Sequence, residues 1–192
     1  MIQFVIIVLN KEVLIMYIYI GICAVIVIVA IIFAIYVSNY NKFQVSIIKI
    51  SAAEENINIL LKKKFELIVR INNFIEEKKT ESKMIGLDGL EKKNLNNFEL
   101  NTELDKYNKK IIEITDYSKE IIFDDDEEKI LKELSLVNIE LLAAQRYYND
   151  NVVKYNELIK CFPSNLVSRL CKYKIKNFYS NEKEEIFEIL KK

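Results

Sequence analysis

Equal numbers of acidic and basic residues, 28 of each in 192, leave the chain without net charge and without the basic footprint of a nucleic-acid binder. The absence of histidine removes imidazole bases, imidazole nucleophiles and imidazole metal ligands together. Three glycines and one proline are too few for the turns of a many-stranded fold, so an all-α chain of long helices is expected.

The first twelve residues, 1–12, read as a short N-terminal tail. They are apolar but too few to span, and are expected at the outer membrane interface; initiation at Met16 would omit them. Residues 13–37, "VLIMYIYIGICAVIVIVAIIFAIYV", then run 25 positions without a charge. A helix of roughly 20 apolar residues crosses a bilayer core, so this stretch predicts a transmembrane helix. Tyr17, Tyr19, Tyr36 and Tyr40 lie near its two ends, where amphipathic rings favour the headgroup level. A cleavable secretory signal would have an apolar stretch of roughly 7–15 residues and a small-residue cleavage site. Here the run is longer, and Ala30 and Ala34 are each followed by bulky residues, so a retained single-pass anchor is expected. Only Lys11 precedes it, whereas Lys42, Lys49, Lys62, Lys63, Lys64 and Arg70 follow. The positive-inside rule places the N-terminus outside and residues 38–192 in the cytoplasm.

Within residues 38–192, apolar positions Ile57, Leu61, Ile68 and Ile75, widened by Leu60 and Phe65, recur at helical spacing. The triple lysine Lys62–Lys64 reads as the solvated face of that helix; contact with anionic lipid is the sharper alternative. Gly86 and Gly89 mark a turn, after which Glu91–Ser118 is expected as a second helix with Leu100, Leu104, Tyr107, Ile111 and Ile114 on one stripe. The acidic run "FDDDEEK", Phe123–Lys129, lacks the alternating ligands and central glycine of a calcium loop, and is expected to cap a third helix. The seam of that helix is read as Ile130, Leu134, Asn138, Leu141, Gln145, Tyr148, Val152, Tyr155 and Ile159. Pro163 disfavours helix at Phe162, Ser164 or Asn165 is expected to cap a fourth element running to about Tyr173, and Asn181 with Glu184 suggests a capping box for a final segment.

Tyr148-Asn149 and Tyr155-Asn156 repeat one dipeptide at a spacing of seven, with Arg146 beside them. Two turns of helix put both tyrosines on one face and both amides at its edge, a ladder that reads as a polar network fixing one helix against the next. A ligand or peptide groove along the same edge is the functional alternative. No nucleophile–base pair accompanies it. Cys23, Cys161 and Cys171 include no C-x-x-C motif and are expected as reduced thiols, with no cofactor or metal implied.

These residues carry a resemblance. "AAQRYYNDNVVKYNELIKCFPSNLVSRL", Ala143–Leu170, resembles the C-terminal signature of the LemA family: an Arg-Tyr-Tyr-Asn core, a later Tyr-Asn and then Phe-Pro-Ser-Asn. The matching positions are Arg146, Tyr148, Asn149, Tyr155, Asn156, Phe162, Pro163, Ser164 and Asn165. "YNKF" at Tyr40–Phe43 is similar to the family's post-membrane segment, and "INILLKKKFELIVRINNFI" to its first soluble helix. The chain departs from the pattern at Asn58, where the family usually has Asp, at Val69, where it has Pro, and in lacking tryptophan; Lys79–Phe123 carries little of it. The resemblance implies an external tail, one membrane span and a cytoplasmic antiparallel helical bundle at the bacterial cell membrane. It implies partners among membrane proteases and other envelope proteins, beside the lipid bilayer itself. A non-enzymatic interaction or scaffold module is therefore expected; the alternatives are an enzyme using carboxylates at the bundle's mouth, or a sensor of anionic lipid or envelope stress acting through Lys62–Lys64 and the terminal amphipathic segment.

Overall fold

In the computed structural model, residues 2–78, 95–117 and 124–179 are described, and all their regular structure is helical. Helix α1 spans Ile2–Lys78, α2 Asn97–Tyr117, α3 Asp125–Lys160 and α4 Ser164–Leu170. The membrane segment and the first soluble helix read separately from the sequence are one unbroken rod, and the backbone of residues 2–12 continues it. No glycine or proline interrupts Ser38–Ile57, which leaves no breaker to separate them. Gly86, Gly89, Asn181 and Glu184 lie outside the described residues.

The chain divides into two compact units, one formed by residues 1–45 with 156–175, the other by 46–155 with 176–192. In the second unit α1, α2 and α3 share an apolar core. The six positions read for α1, Ile57, Leu60, Leu61, Phe65, Ile68 and Ile75, all belong to it, as do the five read for α2. On α3 the seam is Leu134, Val137, Leu141, Ala144 and Tyr148, followed by buried Val152 and Tyr155. Asn138 and Gln145, expected in the seam, are only partly buried beside it. A strict three-four alternation starting at Leu134 brings Val137 and Ala144 inward instead, which buries apolar groups rather than amides.

Contacts fix the helix directions. Lys63 Nζ lies 2.8 Å from Glu133 Oε1, and Glu54 and Tyr148 border one groove, so α3 runs antiparallel to α1. The Asn58 side chain accepts a hydrogen bond from that of Asn97, while Lys64 meets Asn101 and Asp105, so α2 runs in the same direction as α1 and opposite to α3.

Lys64 corrects the reading of the triple lysine as a solvated face. It is 1% exposed, with Nζ 2.5 Å from Asp105 Oδ1 and 3.2 Å from Asn101 Oδ1. Lys64 lies three residues beyond Leu61 and four before Ile68, on the buried stripe, and its ammonium is tolerated there because α2 supplies a carboxylate and an amide. Lys62 is exposed, and Lys63 bonds Glu133, which raises its pKa above the ordinary value.

Both helix starts in this unit are capped reciprocally. Asp124 Oδ1 accepts from the amides of Asp126 (3.0 Å) and Glu127 (2.9 Å), and Glu127 Oε2 accepts from Asp124 N (2.9 Å). The expected capping role of the acidic run is thus carried by two of its five carboxylates. Asn96 and Glu99 form the same box at α2, with bonds of 2.9 and 3.0 Å. Leu95 and Asn96 are not helical, so α2 begins at Asn97 rather than at Glu91.

In the first unit every residue from Val13 to Ile35 is exposed, and burial begins only with half-buried Tyr36 and buried Asn39 and Phe43. α4 turns Ser164, Val167 and Ser168 inward. Neither Ser164 nor Asn165 caps its N-terminus, which is headed by Pro163 after a cis Phe162–Pro163 bond. Ser164 Oγ instead bonds back to the end of α3, 2.7 Å from Leu158 O, and to Cys161 O just beyond it at 2.9 Å. α4 stops at Leu170, short of the expected Tyr173. Lys172 takes φ 54°, and Tyr173 N donates to Ser168 O (2.9 Å), the bond of a left-handed helix C-cap.

Candidate functional site

The Tyr-Asn ladder holds an irregular segment rather than a neighbouring helix. Tyr148 is half-buried on the core seam, and its hydroxyl donates a long bond, 3.4 Å, to Asn177 O. Asn149, expected at the seam's edge, is buried, and its Oδ1 accepts from the backbone amide of Tyr179 at 2.8 Å. A side-chain amide beside a tyrosine thus substitutes for a sheet partner and pins a stretch that has no helical bonds of its own.

Tyr179 completes the arrangement. Its hydroxyl donates to Asn97 O (2.9 Å) in the first turn of α2, and its ring meets Tyr148 and Phe98 edge-on, at centroid distances of 6.2 and 6.1 Å. Edge-to-face packing sets the positive rim of one ring against the negative face of another, so the three aromatics hold a definite mutual orientation. Burial pushes the Tyr179 hydroxyl well above its ordinary pKa; a hydrogen bond with Gln145 opposes this and the charge of Asp105 adds to it. Burial, with the charge of Glu54, raises Tyr148 in the same way. Both hydroxyls stay protonated far above neutral pH and act as hydrogen-bonding groups.

Between these residues lies an open groove of about 510 Å³, bordered by Glu54 and Ile57 of α1, Asn96–Phe98 at the start of α2, Tyr148 of α3, and residues 176–179. Its walls offer one carboxylate, one lysine, several amides and four aromatic rings. Such a surface suits recognition of a mixed polar and apolar segment. Among the described residues no three of His, Cys, Asp and Glu gather as metal ligands.

The other positions read from the sequence do not line the groove. Arg146 is exposed on α3; Tyr155 is buried six residues beyond Asn149, with its pKa raised by burial; and Asn156 is half-buried. Phe162 is exposed and Ser164 buried, and Asn165 Oδ1 is buried without a hydrogen-bond partner. The sequence therefore exposed one half of the site, Tyr148 and Asn149. It missed Asn97, Phe98 and Tyr179. The signal available for these was the aromatic pair in "KNFYS", Lys176–Ser180, dense in rings but without helical period.

No curated protein and no solved structure matches the chain. The profile of the LemA family matches residues 53–189, which covers α1 from residue 53 onward, α2, α3, α4 and the segment ending at Tyr179. With that match over most of its length, the chain belongs to the LemA family.

Proposed function

We propose that this LemA-family chain is a single-pass, membrane-anchored scaffold of the bacterial cell membrane, non-enzymatic, whose cytoplasmic bundle binds another membrane or envelope protein. The observation that carries the reading is the exposure of every side chain from Val13 to Ile35 on an uncharged helix. Twenty-five helical residues extend about 38 Å, enough to cross a hydrocarbon core of about 30 Å with some tilt. Lipid is the solvent in which an apolar helix bare on all sides is stable. The excess of Lys and Arg after residue 37 supports an external N-terminus.

The outer face of α3 supports binding of a protein. Leu136, Ile139, Leu142 and Tyr147 are 57, 65, 49 and 51% exposed, a helical stripe of large apolar groups on the face turned away from the core. The family resemblance points to a membrane protease as partner. Photo-crosslinking in living cells from Ile139 or Tyr147 tests the proposal, with capture of a membrane or envelope protein expected. Asn149 and Tyr155 are too buried to serve as crosslinking positions. Adducts to cytosolic proteins alone, or none from either position, would count against the scaffold role.

A further inference from the structure

Leu166 and Leu170 lie one turn apart on α4, with Phe162 four residues before Leu166, and the three are 50, 72 and 79% exposed. Val167, Ser164 and Ser168 occupy the opposite, buried face. This seven-residue helix turns a small face inward and Leu166 and Leu170 outward, Phe162 just before it adds a third large apolar group, and among the described residues nothing covers the three.

The level of this face on α1 indicates what covers it. Cys171, directly after Leu170, has its Sγ 3.8 Å from the hydroxyl of Tyr36, in the last turn of the apolar run. Two residues on, the Tyr173 ring lies 4.8 Å from that of Phe43, and its hydroxyl accepts from Gln44 Nε2 at 2.9 Å. α4 is thus fastened to α1 where the uncharged run ends, at the height of the stacked rings of Tyr36 and Tyr40. Charge agrees with apolarity: Lys160, Arg169, Lys172 and Lys174 fall between residues 158 and 175, a stretch without Asp or Glu.

We propose that α4 is a second, interfacial membrane contact: Phe162, Leu166 and Leu170 sink into the headgroup–acyl boundary of the leaflet that α1 leaves at Val37, and the surrounding cations meet anionic headgroups. Short apolar faces flanked by Lys and Arg bind interfaces in this way, the long side chains reaching back to the phosphates. The proposal rests on α1 being a membrane anchor. It adds that the anchor is two-point, which restricts the spin and tilt of α1 about its own axis.

The chain has no tryptophan, so one can be introduced as its only indole reporter. Full-length Phe162→Trp and Leu166→Trp are reconstituted in phosphatidylcholine–phosphatidylglycerol vesicles containing lipids brominated high on their acyl chains. Ile28→Trp, in the uncharged run, and Leu136→Trp, on the outer face of α3, are the controls. We expect blue-shifted emission quenched by bromine from positions 162 and 166, quenching from 28, and water-like, unquenched emission from 136. Quenching at 28 with water-like emission at both α4 positions overturns the interfacial contact and leaves the anchor standing. Blue-shifted but unquenched emission at 162 and 166 shows cover by protein, such as a second copy, and overturns lipid as the occupant. Absence of quenching at 28 removes the anchor reading and this proposal with it, and quenching at 136 removes its specificity for α4.

Discussion

Lys64 keeps its ammonium inside the bundle because Asp105 and Asn101 meet it on one side while its stem lies on the apolar stripe of α1. Removing the carboxylate strands the charge. Loss of one partner of a fully buried pair costs about 3–5 kcal/mol, and Asp105 is 47% exposed, so Asp105→Ala is expected to destabilise by about 2–3 kcal/mol. Replacing both, as Lys64→Met with Asp105→Leu, is expected to recover most of that loss, as read by thermal unfolding in detergent. Tyr179 makes a prediction of a different kind. Tyr148, Tyr155 and Tyr179 all have pKa values raised above the ordinary 10.0 by burial. Below pH 10 both folded and unfolded chains hold these protons and stability does not respond. Above it the unfolded chain releases them first, so stability falls with rising pH through the folded values. Tyr179→Phe is expected to flatten this alkaline loss while costing about 0.5–1.5 kcal/mol at neutral pH through the bond to Asn97. Periodicity could place Tyr148 and Asn149 on adjoining strips of α3, but not their bonding to Asn177 and Tyr179. A repeat of seven reports which face a residue occupies, and nothing about an irregular segment laid across it.

At the scale of the element, the caps decide where helices begin. Asp124→Ala and Asn96→Ala each remove a side-chain acceptor of two orphan amides or one, and each is expected to lower stability by about 1 kcal/mol, with a larger effect at Asp124. Lys172 closes α4 in the left-handed region, where a side chain is strained and glycine is not. Lys172→Gly is expected to raise the thermal midpoint, by an amount equivalent to about 0.5–1 kcal/mol after the entropic cost of glycine in the unfolded chain. The acidic cap of α3 was legible because carboxylates stood next to an apolar repeat. The Asn96–Glu99 box was equally present in "NNFE", yet the charged run before it suits helix so well that the start was read at Glu91. The stripes of α1 and α2 were fully legible, since large aliphatics alone fill them. On α3 the presence of amides among the apolar positions allowed two overlapping patterns, and packing chose the one with Val137 and Ala144.

For the whole molecule, the all-α architecture follows from scarce turn residues and long repeats, both plain in the sequence. The shared direction of α1 and α2 was not visible, because it depends on pairings such as Asn58 with Asn97, which lie far apart in sequence and leave no periodic trace. The proposed topology sorts the two exposed cysteines by compartment. Cys23 lies in the uncharged run, and Cys161 is exposed in the part proposed to be cytoplasmic. A membrane-impermeant maleimide is expected to modify neither in intact cells and to modify Cys161 once the membrane is permeabilised. Labelling of Cys161 in intact cells would reverse the assigned orientation.

Tyr179 is made after everything it fastens: the first turn of α2 lies 82 residues upstream of it, and Tyr148 is also already synthesised. While the nascent chain emerges, the inner flanks of Phe98 and Tyr148 therefore lack the Tyr179 ring, although the apolar run of α1 is complete much earlier. A message truncated before codon 179 would yield a product with that seam unlatched. Quality-control machinery could sort such products from finished ones by this difference alone.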